Sequence, residues 1–236
     1  MLNPDLNIDR LAEVYGERKR VQIHDFLQEA IAERILATME NEVEWRFALN
    51  MEGRDQVFSG AEWRQLAQQE RAHILMQANE NARWNFQYAF EYYQMRAAYH
   101  DKWAPETYLN QVVAFIESEA FCEFGRRITG ISEIRSADCQ AMRYRPGHFL
   151  TQHDDQYIET RRAAYVMNFT KTWRPDWGGM LLFLEDTGNV ETGYLPAFNV
   201  LNIFSVPQRH AVSYVAPSAG FPRLSITGWF LADERQ

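Results

Sequence analysis

The apolar positions of this chain change rhythm once, near Gly130. Before it, helical spacing prevails. Ile31, Ile35, Leu36, Met39 and Val43 recur at intervals of three and four and predict an amphipathic helix, with Asp25 as a candidate cap and Gln28 three residues on. Ahead of it, residues 1–19 read as a polar arm, partly helical, and VQIHDFL (21–27) as a short strand. Ser59 and Glu62 have the spacing of a capping box and open a second helix carrying Trp63, Leu66 and Leu75. Trp84, Phe86, Tyr88 and Phe90 alternate with Asn85, Gln87 and Ala89, a period of two that predicts a strand. From 106 to 127, Leu109, Val112, Val113, Ile116, Ala120, Phe121 and Phe124 predict one long helix. Arg126 and Arg127 fall in its last turn and Gly130 just beyond, a normal helix ending.

After Gly130 the period shortens. Strand-like runs cover 137–144, 149–155, 163–169, 180–184, 198–205, 210–215 and 223–231, and turn residues such as Pro146-Gly147 and Gly178-Gly179 separate them. Many short strands at even spacing predict a sandwich or small barrel. The expected class is α+β: a jelly-roll core over 131–236 with mainly helical support over 1–130, in a single domain spanning 1–236.

Composition narrows the functional classes. A chain of 236 residues with 46% hydrophobic and 14% aromatic residues has ample material for a core. A net charge of −8 and no obvious basic patch disfavour nucleic acid as a partner and mildly favour a basic protein or peptide. Two cysteines do not make a disulfide framework. The charged N-terminus lacks the apolar stretch of a signal peptide, and no apolar run approaches a membrane span, so a cytoplasmic location without membrane contact is expected.

The candidate chemistry lies in HFLTQHDDQY, residues 148–157. Residues two apart on a strand share a face, so His153 and Asp155 can point to one metal ion. Asp154 is the rival ligand if a bulge interrupts the strand. His210, opening a later strand, is the candidate third ligand. Two imidazoles and a carboxylate form the facial triad of non-haem Fe(II) oxygenases, with positions left for a chelating 2-oxo acid and dioxygen. Arg223 suits the far carboxylate of such an acid, and Ser225 shares its strand face. Arg161 and Arg162 are weighed equally as residues of the site mouth or as a solvated turn pair. Tyr157 and Ile158 lie in a loop that can close over a peptide. Trp173 and Trp177 are candidates for a substrate groove, and Trp229 is assigned to packing.

The segments HDD, RRAAYVMNFTKTWRPDWGGMLLF, SVPQRHAV and RLSITGWF resemble the 2-oxoglutarate- and Fe(II)-dependent prolyl hydroxylases, and most of all the ribosomal-protein prolyl hydroxylases, over roughly residues 140–232. The resemblance implies a double-stranded β-helix fold and hydroxylation of a prolyl ring coupled to decarboxylation of 2-oxoglutarate. It implies His153, Asp155 and His210 as iron ligands, with no catalytic residue beyond them. Arg223, Ser225 and Tyr144 match the 2-oxoglutarate pocket, and Leu150 matches an apolar residue beside the site. Asn168 stands where relatives often carry a tyrosine that holds the same carboxylate. The implied cofactors are Fe(II), 2-oxoglutarate and O2, with ascorbate a candidate, and the implied partner is a proline-containing protein or peptide. The oligomeric state stays open. The same machinery on a free amino acid or small metabolite is the alternative within enzymes, and a non-catalytic jelly-roll binding module is the alternative outside them. Turnover of 2-oxoglutarate separates the last from the first two.

Overall fold

The glycine-bounded runs after Gly130 form strands because nearly every residue in the central ones has a surface to cover on both sides. In the computed structural model, which describes residues 1–51 and 53–233, β8 (Arg161–Phe169) and β13 (Arg223–Leu231) lie side by side at the centre of one antiparallel sheet. Met167, Phe169, Leu224, Ile226 and Phe230 face a layer of helices and are fully buried there. Ala164, Val166, Arg223 and Thr227 point the other way, into a cavity. This division follows from the two-residue repeat of a strand.

Strands β1 (Arg20–His24), β2 (Arg46–Met51), β3 (Arg54–Phe58), β4 (Tyr88–Tyr93), β5 (Ser136–Ala137), β6 (Gln140–Tyr144), β7 (Phe149–His153), β9 (Leu181–Leu184), β10 (Val190–Tyr194), β11 (Phe198–Ser205) and β12 (His210–Val212) complete the sheet. Its order is β1-β11-β8-β13-β6-β4-β7-β12-β9-β10, with β2 against β4, β3 outside β2 and β5 against β13. The sheet curls into the half-barrel of the double-stranded β-helix fold, and the seven α-helices of the described residues all fall before β5, ahead of or between the first four strands and β5. The first 130 residues are therefore more than helical support: β1 forms one edge of the sheet beside β11, and β4 sits between β6 and β7. No helix among the described residues is long and apolar enough to cross a membrane.

Helices form where periodicity predicts them, and their ends differ where a local group interrupts. The polar arm contains α1 (Ile8–Arg18), capped by Asn7, whose side chain accepts from the Arg10 N–H. Asp25 does not cap α2 (Glu29–Asn41); it adopts a left-handed φ of 50°, and the helix starts after Gln28. The capping box of Ser59 and Glu62 is present, yet α3 (Gly60–Gln65) stops at Leu66, which is extended, and α4 (Gln68–Asn81) starts anew. A short α5 (Met95–His100) follows β4. The predicted helix over 106–127 is two helices, α6 (Leu109–Ile116) and α7 (Glu119–Thr129). Ser118 makes the break: its hydroxyl donates to the Phe115 carbonyl and accepts from the Phe121 N–H, so it ends one helix and caps the next. Apolar spacing runs through the break because both helices pack on the same core. Gly130 closes α7 in the left-handed conformation, as its position predicts. Strands β3 and β10 give no periodic signal because they lie at sheet edges and are largely exposed.

Two polar groups tie the helical layer and the α3–α4 lobe to the sheet. Asn199, at a left-handed φ of 57°, donates to the Leu27 carbonyl (2.8 Å) and accepts from the Leu27 N–H (3.1 Å), both bonds buried. Asn199→Ala leaves both Leu27 groups unpaired and an alanine at positive φ, and is expected to destabilise the fold by about 2–4 kcal/mol in urea unfolding. His148, 5% exposed against Phe47, accepts from the Arg145 N–H, and burial pushes its imidazole down to about 4. Since the folded pKa lies below the unfolded one, the unfolded chain binds the extra proton between pH 6.5 and 4. Stability falls as pH drops through that window, by about 3 kcal/mol from this residue. His148→Gln keeps an acceptor and should flatten the pH dependence of the unfolding midpoint; a slope identical to the parent would refute this origin.

Candidate metal centre and active site

Strands β7 and β12 are antiparallel neighbours, and their register sets His153 directly opposite His210. The two rings lie 4.1 Å apart between centroids. Each imidazole is held the same way: Nδ1 of His153 lies 2.9 Å from the Thr151 carbonyl, and Nδ1 of His210 lies 2.8 Å from the Gln208 carbonyl. A carbonyl only accepts, so each Nδ1 carries the proton and each Nε2 offers its lone pair. Burial, with the neighbouring His153 second, pushes His210 down to about 4, which keeps it neutral near pH 7 and able to ligate.

Both Nε2 atoms look toward one carboxylate. Asp155 places Oδ1 3.8 Å from His153 Nε2 and Oδ2 3.6 Å from His210 Nε2, and one ligand atom from each of the three residues lies within 4.8 Å of the others. The pleat does not bring Asp155 there. β7 ends at His153, and Asp155 sits beyond it at a left-handed φ of 64°, only 3% exposed. Aspartate is among the few residue types that accept this conformation. Asp154 is spent on the turn, where its Oδ1 accepts from the Gln156 N–H. Two donors take the outer sides of the Asp155 carboxylate: Nη1 of Arg161 at 3.0 Å and the indole Nε1 of Trp229 at 2.9 Å. Of the two arginines weighed equally, Arg161 faces the site, whereas Arg162 turns to the Glu159 carbonyl and does not line the cavity. Trp229, expected in packing alone, reaches the triad through its indole N–H.

A second set of groups lies deeper in the barrel. Arg223 pairs with Tyr144 across β13 and β6, its guanidinium 5.0 Å from the ring centroid. It is 2% exposed, its Nε has no partner, and among the described residues no carboxylate lies within salt-bridge reach. Burial pulls its pKa down, yet a guanidinium stays charged. The Tyr144 hydroxyl is pushed up to about 12 by burial and remains a neutral donor. Ser225 faces Asn168 in register between β13 and β8, on the same strand faces as Arg223 and Val166. The Ser225 hydroxyl and Asn168 Oδ1 have no partner, while the Asn168 amide donates weakly to the Val200 and Val166 carbonyls. An unpaired buried cation beside an unpaired hydroxyl is costly unless an anion completes it. Arg223 and Tyr144 line the cavity and fit the distal carboxylate of a dicarboxylic 2-oxo acid, whereas Ser225 and Asn168, buried on the same strand faces, are not among its lining residues. The two-nitrogen, one-oxygen donor set fits Fe(II).

Triad and arginine open into one cavity of about 590 Å³. Its side wall is β4 and the segment before it: Phe86, Tyr88, Phe90 and Tyr92 all line the cavity, with Leu150 and Tyr157 nearby. The burial on this strand is inverted. The aromatic face is half-exposed, with Phe86 at 48%, while Gln87, Ala89 and Glu91 on the other face are buried. Glu91 is neutralised there by Arg143 and Arg145. The alternation over 84–90 reads from sequence as a strand; the strand itself begins at Tyr88 and runs to Tyr93, and which of its faces meets solvent is not legible from the alternation. Trp173 lies outside the cavity lining: its indole donates to the Gly178 carbonyl, and the ring packs edge-on against Trp177 at 5.4 Å.

Comparison with known proteins agrees with this geometry. Residues 139–231 match the 2OG-Fe(II) oxygenase superfamily. Over 119 residues the chain is 30% identical to prolyl 3-hydroxylase OGFOD1 of Mus musculus, a match that covers 48% of this chain and 22% of that protein. The chain thus spans about a fifth of the length of this curated relative. Among solved structures, a prolyl-4-hydroxylase of Pseudomonas putida aligns with a TM-score of 0.59 at 17% identity, over 96% of this chain and 100% of the other. A prolyl hydroxylase of Trichoplax adhaerens, solved with a hypoxia inducible factor oxygen degradation domain peptide fragment, aligns with a TM-score of 0.61 at 15% identity, over 96% and 91% of the two chains. Residues 139–231 thus resemble the 2OG-Fe(II) oxygenase superfamily, on a fold shared with solved prolyl hydroxylases and around a His-Asp-His cluster whose geometry could hold a metal ion.

Proposed function

We propose that the chain acts as one oxygenase unit that hydroxylates a prolyl residue within a protein or peptide, with His153, Asp155 and His210 holding Fe(II) and with Arg223, Ser225, Tyr144 and Asn168 forming the pocket for 2-oxoglutarate. Bound there, Fe(II) with 2-oxoglutarate and O2 supplies an oxidative decarboxylation that leaves succinate and CO2 and places one oxygen atom on a substrate C–H bond. Ascorbate serves as an accessory reductant over repeated turnovers.

The residues of the chain do the positioning. Arg223 neutralises the distal carboxylate in a water-poor site, where a fixed cation is worth most. The two Nδ1–carbonyl bonds keep both imidazoles in the ligating tautomer. The observation that carries the substrate class is the inverted strand β4. Tyr88, Phe90 and Tyr92 of this strand, with Phe86 just before it, offer an apolar wall of half-exposed rings beside the triad, and such walls suit the flat, weakly hydrated surface of proline.

A peptide fits this wall better than a free amino acid. Free proline brings an ammonium and a carboxylate, and each needs a fixed counter-charge. The charged groups at the mouth are already engaged: Arg161 with Asp155, and Asp55 with the Tyr88 hydroxyl. Peptide bonds cancel both charges of the substrate. Tyr157, 76% exposed at the cavity, is the loop residue placed to cover a bound chain.

The decisive assay measures succinate formed under air from 2-oxoglutarate with Fe(II) and ascorbate. His153→Ala and Asp155→Ala should abolish it, and Arg223→Ala should raise the KM for 2-oxoglutarate at least about tenfold, the loss of a charge-assisted bidentate contact. A proline-containing peptide should stimulate turnover and gain the mass of one oxygen, whereas free L-proline should do neither. Oxygen transfer to free proline but to no peptide moves the substrate class to small metabolites. Failure of the wild-type chain to bind or turn over 2-oxoglutarate in the presence of metal points instead to a binding module.

A further inference from the structure

The three triad residues are not held alike. His153 and His210 are anchored by the sheet and by their own backbone carbonyls. Asp155 lies beyond the end of β7 on a left-handed turn, and its backbone conformation does not set the plane of its carboxylate. That plane is set from the far side of the barrel. Trp229 of β13 donates its indole N–H to Oδ2 and Arg161 of β8 donates Nη1 to Oδ1, so each oxygen is held by one donor. The two donors also hold each other. The guanidinium of Arg161 lies 3.5 Å from the Trp229 ring centroid and 4.8 Å from that of Tyr157. Arg161 is itself 8% exposed, and Asp155 is the carboxylate it meets.

We propose that Arg161 and Trp229 form a clamp that positions the Asp155 carboxylate for the metal, with Arg161 a positioning residue rather than a substrate-binding one. The inference rests on the triad being the metal site. The clamp leaves each carboxylate oxygen a lone pair toward the histidines and removes rotation of the carboxylate group, so the third donor is oriented before the ion arrives. Donors of this kind typically change metal affinity 10- to 100-fold when removed. The planar guanidinium matters as well as its charge, because a flat cation stacks on the Trp229 ring while keeping a directed N–H on Asp155.

The test uses the full chain and Co(II), whose visible absorption reports the donor geometry without turnover. Wild type, His153→Ala, Trp229→Phe and Arg161→Lys are titrated with Co(II) in metal-free form, after circular dichroism shows that each is folded. Trp229→Phe keeps the ring and loses the N–H; Arg161→Lys keeps the charge and loses the plane. Each should weaken Co(II) binding about 10-fold or more and shift the absorption band, and lysine should not rescue. Wild-type affinity and an unchanged band in the folded Trp229→Phe protein would overturn the clamp, even if Arg161→Lys fails to fold. If His153→Ala binds Co(II) as tightly as wild type, the triad assignment itself falls and the clamp with it.

Discussion

The pairing of β7 with β12 is the constraint on which the candidate site depends. One register places His153 opposite His210, and a slip of one residue would turn one imidazole to the other face of the sheet. The register is held on both sides, because β12 is also bonded to β9 and β7 to β4. Thr151 of β7 and Gln208, two residues ahead of His210, supply the carbonyls that fix both imidazole tautomers. Backbone pairing thus decides the placement of both imidazoles, with each strand bonded to a further neighbour in the sheet.

Around this pair the barrel spends its two faces differently. The helix-facing side of β8, β11 and β13 is an ordinary apolar core joined to α2, α6 and α7. The cavity-facing side of β8 and β13 carries an arginine, a serine and an asparagine with buried atoms left without partners. A fold tolerates such groups only when the packed face stabilises it enough, and when a bound ligand completes them. The inverted strand β4 continues the same economy. It buries Ala89 and Glu91, with Glu91 matched by two arginines, and turns Tyr88, Phe90 and Tyr92 toward the cavity beside Phe86.

Much of this is legible along the chain because it is local. The capping box at Ser59 and Glu62 needs only residues within one turn, and so does the glycine that closes α7. Strands β11 and β13 span the same residues in the structure as in the apolar pattern, 198–205 and 223–231, since both faces are buried and every residue contributes signal. The edge strands β3 and β10 give none, as exposure leaves no pattern to read. The single helix expected over 106–127 shows the limit from the other side: a serine hydroxyl outweighs an unbroken apolar period.

By itself the sequence determined the α+β class, the late change from helical to strand period, and the set of side chains able to hold a metal and a dicarboxylate. These depend on composition, spacing and short-range hydrogen bonding. Only the tertiary structure decided that Asp155 arrives by a left-handed turn and not by strand alternation, that Arg161 and not Arg162 faces it, and that Trp229 donates to it from a strand 74 residues away. It also decided which face of β4 meets the cavity. Alternation states that two faces differ, but only the neighbours packed against each face determine which one is covered.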